Sequence, residues 1–410
     1  MPKIIVDMHS RSVFQPISVA VFCLILLLGS CQKSQRTEVT PFGTTVGEES
    51  VAETPVAIND FTLSDIMANG ELIMLTLSGP ETYYDYHGRG MGTQFLLCEN
   101  FAHSIGVSLR VELCQDTAEM VRKLQNGEGD VIAFPLEKND SNLIYCGYAK
   151  DSLNSSQWAV REGNTELADT LNGWFRPELV AEIKKEESLM LSNRGVTRKV
   201  YSPMLNRSGG VISRYDHLFQ KHAPTARWDW RLLAAQCYQE STFDPKARSW
   251  VGACGLMQIM PATATEMGLP HSQIYEPEAN IATATRYIKK LTNHFNDIVD
   301  GNERRYFVLA AYNGGFFHIR DAMRLAQKHG KNPHRWDDVA EFVLALSKPE
   351  YYNDPVVKNG YMRGSETYNY VRKIRSRYAE YRGFARAGDS NIGTVSTPHR
   401  AKRKNKYKVM

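Results

Sequence analysis

Apolar residues are distributed along the chain in three ways. Ile17 to Leu28 is a nearly unbroken apolar run. From Glu71 to Arg161 short apolar runs alternate with helical spacing. Leu72 to Leu77 has the length of a buried strand, and Val107 to Leu113 alternates with period two. Asp130 to Phe134 is a third strand-like run. Between these, Gly92 opens a segment that places Phe95, Leu96, Phe101 and Ile105 on one helical face. Asp116 is positioned to cap a helix carrying Met120, Val121 and Leu124, closed by Asn126-Gly127. Strand, helix, strand, helix, strand predicts an α/β layer with parallel strands. A returning strand, Ser156 to Arg161, and two helices, Asn164 to Phe175 and Pro177 to Leu191, complete this region. From Val211 the spacing is mostly helical, after a boundary at Tyr201 to Gly210 marked by Pro203, Asn206, Gly209 and Gly210.

Composition fits more than one domain. The 410 residues exceed one ordinary domain. A hydrophobic fraction of 42% excludes a wholly disordered chain, and 7 cysteines exclude a disulfide framework. The net charge of +4 describes no folded part, because Arg400, Lys402, Arg403, Lys404, Lys406 and Lys408 crowd the last twelve residues. Without them and the leader, residues 31–398 carry a net −3, so the overall basicity is no argument for a nucleic-acid-binding body. The tail itself suits either contact with anionic headgroups or acidic wall polymers, or plain solvation.

The early apolar run spans twelve residues, short of the roughly 20 a membrane helix needs, and reads as a signal-peptide core. Its end, Leu28-Gly29-Ser30-Cys31, resembles the lipobox of bacterial lipoproteins, which implies lipidation of Cys31 and attachment to a membrane. The expected organisation is a signal peptide at 1–30, a flexible tether at 31–65 and a shortened α/β domain at 66–200. A helical domain at 201–386 and a basic tail at 387–410 complete it.

Gly79-Pro80-Glu81-Thr82-Tyr83-Tyr84 and Leu124 to Asp130 resemble the first lobe of periplasmic solute-binding proteins of the amino-acid-binding type. That family captures its ligand between two lobes. Too few residues separate Pro135 from Tyr201 for a second lobe, so either a docking module or a sensor of amino acids or muropeptides is open. Gly88-Arg89-Gly90-Met91-Gly92 has the wrong spacing for a phosphate loop and reads as a turn before a helix.

Candidate chemistry lies further on. Trp230, Leu233 and Cys237 form an apolar stripe that Glu240 continues. A carboxyl group there, near a helix C-terminus, is expected to be desolvated and to have a raised pKa, as a general acid requires, unless the last turn frays into water. Gly255-Leu256-Met257-Gln258, Ala311-Tyr312-Asn313-x-Gly315 and Glu366-Thr367-x-x-Tyr370-Val371 follow in order. Together with Glu240-Ser241, these four motifs resemble the lytic murein transglycosylases with a soluble-type, lysozyme-like catalytic domain (glycoside hydrolase family 23), over roughly residues 211–384. The preceding α/β domain, with Asp229 to Ala235 and Arg335 to Val339, points to the membrane-bound F type within that family.

The resemblance implies a multidomain enzyme of peptidoglycan glycan strands. A truncated solute-binding-like α/β domain would precede a mainly α lysozyme-like domain. Glu240 would be the catalytic acid and base, cleaving the MurNAc–GlcNAc β-1,4 bond with formation of 1,6-anhydro-MurNAc. Ser249, Met257, Gln258, Tyr312, Asn313 and Tyr370 would bind substrate, with no cofactor and no metal. The location would be the periplasmic face of the outer membrane. The rival readings are a lysozyme-type muramidase and a non-catalytic muropeptide-binding scaffold. Cys237 and Cys254 depart from the family's commoner small residues, and in an exported chain a Cys237–Cys254 bridge is expected, with two buried free thiols as the alternative.

Overall fold

The computed structural model describes residues 62–149, 156–192 and 196–386, with two short strands upstream. Cys31, the leader and the basic tail lie outside the described residues. The chain divides into two units, 1–57 and 58–410. In the first, Glu38–Val39 pairs antiparallel with Thr45–Val46. The second holds everything that follows.

Folding begins earlier than the expected limit of the tether. Thr62 caps the helix Leu63–Asn69 through a reciprocal box in which its backbone N–H donates to the Asp65 carboxylate at 2.8 Å. Leu63 and Ile66 of that helix are buried in the α/β domain.

The sheet has five strands in the order Ser108–Cys114, Glu71–Leu77, Val131–Glu137, Ser156–Arg161, Leu143–Ala149. The first three are parallel, with Glu71 opposite Ser108 and Met74 opposite Val131. Ser156–Arg161 runs antiparallel to both its neighbours, Val131–Glu137 and Leu143–Ala149, so the sheet is mixed and not wholly parallel. Alternation divides the sheet residues between its faces. Leu72, Met74, Val131 and Ala133 pack under the helix Thr93–Ser104 with Phe95, Phe101 and Trp158. Leu75 and Ile132 point the other way, onto Met120 and Leu124 of the helix Thr117–Gln125. Asp116 caps that helix as expected, accepting from Glu119 N at 2.8 Å.

The glycine-rich stretch is a hairpin, Tyr84–Tyr86 against Arg89–Met91, turned by His87 and Gly88 in the left-handed region. It reaches the helical domain, where Tyr86 stacks on Trp250 at 5.9 Å and the Arg363 guanidinium lies over the Tyr86 ring. Beside it, Ser78 Oγ accepts from Tyr361 N at 2.8 Å.

The helical domain is built on one core from Ile212 to Ala385. Its central helix, Trp230–Ser241, is buried from Trp230 through Cys237. It packs against Asp216–Ala226 on one side and the last helix, Gly364–Phe384, on the other. Asp229 caps it, accepting from Arg231 N at 2.9 Å, and also holds the Arg231 guanidinium and the Tyr378 hydroxyl. Arg231 in turn donates to Ala385 O at 2.8 Å, which ties the C-terminal end of the domain to the start of this helix.

The last helix starts against the chain that precedes it. A Cβ on Gly364 would run into the carbonyl oxygen of Val343, whereas one on Gly383 of the same helix meets nothing. Gly364→Ala is expected to cost about 2 kcal/mol. Gly383→Ala should be neutral or slightly stabilising. Thermal unfolding of the two variants checks this.

Candidate active site

Glu240 lies in the last turn of the central helix, which ends at Thr242 in a left-handed conformation with φ 53°. Tyr370, buried on the last helix, donates its hydroxyl to Glu240 Oε1 at 2.5 Å. The backbone carbonyl of Glu240 accepts from Arg198 at 3.0 Å. The side chain keeps a partial opening to the groove while protein surrounds its carboxyl group. Desolvation therefore dominates and pushes the carboxyl up to about 8, against the opposing pull of the Tyr370 hydrogen bond and the Arg198 charge. The last turn is not frayed.

A cavity of about 240 Å³ opens in front of this carboxyl group. Ser249, Gln258, Tyr312, Asn313 and Tyr370 line it. Among the described residues, Glu240 is its only carboxylate. Ser249 Oγ accepts from Ala253 N at 2.9 Å, which leaves its hydroxyl proton for the groove. Gln258 sits at φ 47° and donates its amide nitrogen to Gly255 O and Ala247 O, which leaves its carbonyl oxygen for the groove. Tyr312 donates to Met257 O at 2.8 Å, and its phenol is pushed up by burial and then by the nearby Glu240. Asn313 accepts from Thr367 Oγ1 at 2.7 Å. Gly315 turns the chain at φ 84°, and Gly314 packs so closely on Thr367 and Met362 that no side chain fits there. Glu366 is bound by Arg363 at 2.8 Å.

Two expectations need correction. Met257 is fully buried and contributes its backbone, not its thioether, to the site. Met260 lines the groove instead. The reason is that Met257 N donates to the buried Asn280 side chain, which turns the Met257 side chain into the core. Cys237 and Cys254 form no bridge, and both thiols are free and buried. The Cys237 thiol donates to Leu256 O at 3.3 Å, while Cys254 turns away to Gly252 O and the Tyr275 hydroxyl.

Several groups at the site carry no sequence signal of their own. Asn280, on the helix Pro277–His294, donates to Cys254 O and Ile274 O and so sets the loop that carries Gln258. Val196–Thr197, from the connection between the domains, pairs with Arg248–Ser249 and brings Arg198 to the end of the catalytic helix. Tyr86 and His87 of the hairpin line the Glu240 cavity. They also line a chamber of about 570 Å³ between the α/β layer and the helical domain. No group of three or more potential metal ligands occurs among the described residues.

The helical domain holds one desolvated glutamate facing a groove, and residues 217–334 match the model of the Transglycosylase SLT domain family. More particularly, the chain is 34% identical over 258 residues to the membrane-bound lytic murein transglycosylase F of Desulfosudis oleivorans, covering 60% of this chain and 51% of that protein. Among solved structures, it is 29% identical to the 70 kDa soluble lytic transglycosylase from Escherichia coli, with a TM-score of 0.31 over 42% of this chain and 24% of that one. It is 20% identical to the arginine-bound form of domain 1 from TmArgBP, with a TM-score of 0.24 over 30% of this chain and 98% of that one. The chain spans about half, or less, of the length of the curated relatives it matches.

Two predictions follow from this geometry. Between the ordinary Glu value of 4.5 and about 8, the folded state binds a proton at Glu240 that the unfolded chain releases, so folding stability falls as pH rises through that window. Glu240→Gln removes this dependence, and its gain in melting temperature over wild type should grow from pH 5 to pH 8. For the cysteines, denatured and alkylated protein should have the same mass whether or not reductant is present.

Proposed function

We propose that the chain is a peptidoglycan lytic transglycosylase. The observation that carries this reading is Glu240, held protonated near neutral pH at the wall of a groove, with a phenol donor on its Oε1. A neutral carboxyl can protonate the glycosidic oxygen between MurNAc and GlcNAc. The carboxylate that remains is met by the Tyr370 hydroxyl, which stabilises the charge where it forms. The same carboxylate then takes the proton of the muramic acid 6-hydroxyl, whose oxygen attacks the anomeric carbon and closes the 1,6-anhydro ring. An intramolecular nucleophile has a large entropic advantage over water.

Other features support the assignment of roles. The Glu240 cavity lacks a second carboxylate among the described residues, which argues against a two-carboxylate hydrolase. Gln258, Asn313 and Ser249 offer hydrogen bonds to acetamido and hydroxyl groups, and Tyr312 braces the loop beneath them. The likeness to membrane-bound lytic murein transglycosylases and the lipobox-like Cys31 support an envelope location with a lipid anchor, at the periplasmic face of the outer membrane. Among the described residues no helix is long and apolar enough to cross a membrane. We assign the α/β domain the part of a docking or muropeptide-sensing module, and its hairpin at the groove supports that part.

Digestion of purified murein sacculi tests the reaction. The expected soluble products are anhydro-muropeptides, lighter by one water than the muropeptides a hydrolase releases, and Glu240→Gln should release none. Products of the hydrated mass assign a muramidase, and no products from wild type leave only a binding role.

A further inference from the structure

The catalytic helix carries a polar side chain that the reaction just described does not use. Gln236 lies one turn before Glu240, on the same side of the helix, and is fully buried. Neither its amide oxygen nor its amide nitrogen has a hydrogen-bond partner. Its buried neighbours along the helix are Leu232, Leu233, Ala234, Ala235 and Cys237, so an apolar side chain would suit the packing better. An uncompensated amide in such a place calls for a reason.

The last helix packs directly on this one and supplies Tyr370. The Tyr370 hydroxyl has one proton, spent on Glu240, and lone pairs free to accept. Gln236 stands close enough to that phenol to favour its ionisation, although no hydrogen bond joins the two. The other groups facing the Glu240 carboxyl are Tyr312 from the helix Gly301–Gly314, Cys237 on its own helix, and Arg198 from the interdomain connection.

We propose that Gln236 is a positioning residue whose amide N–H closes on the Tyr370 oxygen as Glu240 ionises, fixing and polarising the phenol that receives the new charge. Left unpartnered while Glu240 is neutral, the amide costs stability in the resting state. Its hydrogen bond forms when negative charge appears, so its contribution falls on the charged state that the reaction passes through. This role rests on the lytic reading, because it takes Glu240 as the group that gives up the proton.

Five proteins test it: wild type, Gln236→Met, Gln236→Leu as a second apolar replacement, Tyr370→Phe, and the double variant of Gln236→Met with Tyr370→Phe. Gln236→Met should lower the rate of anhydro-muropeptide release about five-fold, the weight of one ordinary hydrogen bond, with KM unchanged. Its basic limb of activity should move to higher pH. Thermal stability should stay the same or rise, which separates the effect from unfolding. In the Tyr370→Phe background the same substitution should change nothing. The Glu240 pKa, read by carboxyl NMR on labelled protein, should rise in Gln236→Met but not further in the double variant. That readout needs no turnover, so wild type without lytic products defeats the reaction and still leaves Gln236 decided. An unshifted Glu240 titration, or an equal shift in both backgrounds, overturns the proposal.

Discussion

The carboxyl group of Glu240 is held out of water between two helices, and the rest of the helical domain is arranged around that constraint. A carboxyl group in a low-dielectric setting resists ionisation. Burying it requires the central helix to be enclosed on nearly every side, and every residue from Trp230 to Cys237 is buried. Enclosure in turn depends on the last helix, whose Tyr370 both seals the site and supplies the hydrogen bond that keeps ionisation within reach. The position of that helix is fixed by Gly364 at its start, against Val343, and by Tyr378 on Asp229 further along. Asp229 caps the central helix, so one aspartate registers both partners.

Much of this was legible in the sequence because it depends on local patterns. The three parallel strands announce themselves by runs and alternation, and the Asp116 cap by its place before an apolar face. Helical spacing puts Glu240 on the apolar stripe but leaves a frayed, solvated turn open, and its role and those of the motif residues around it come from the order of the motifs. What escaped depends on contacts between distant segments. Leu143–Ala149 joins the sheet only through its pairing with the returning strand. Met257 and Met260 are equally apolar in sequence, and only the bond from Met257 N to Asn280 decides which of them faces the groove. The Cys237–Cys254 expectation weighed compartment and position, but the direction of each thiol is set by carbonyls and a hydroxyl that no spacing reveals.

The α/β domain is also more entangled with the site than its own sequence implies. Its stretch of alternating glycines is a hairpin whose tip residues, Tyr86 and His87, form part of the wall of the Glu240 cavity. A stacked Trp250 and an overlying Arg363 hold Tyr86 there. The groove is thus shaped by two parts of the chain with separate cores.

The connection between those parts is itself a working element. Val196–Thr197 adds a short strand to Arg248–Ser249, Lys199 N donates to Asp244 at 2.6 Å, and Arg198 holds the carbonyl of Glu240. Cutting the chain at the Pro- and Gly-marked boundary near residue 201 would therefore sever the catalytic helix from the segment that clasps its end. For anyone dissecting the molecule, a faithful catalytic fragment has to start before Val196, because the seam visible in composition falls inside the machinery.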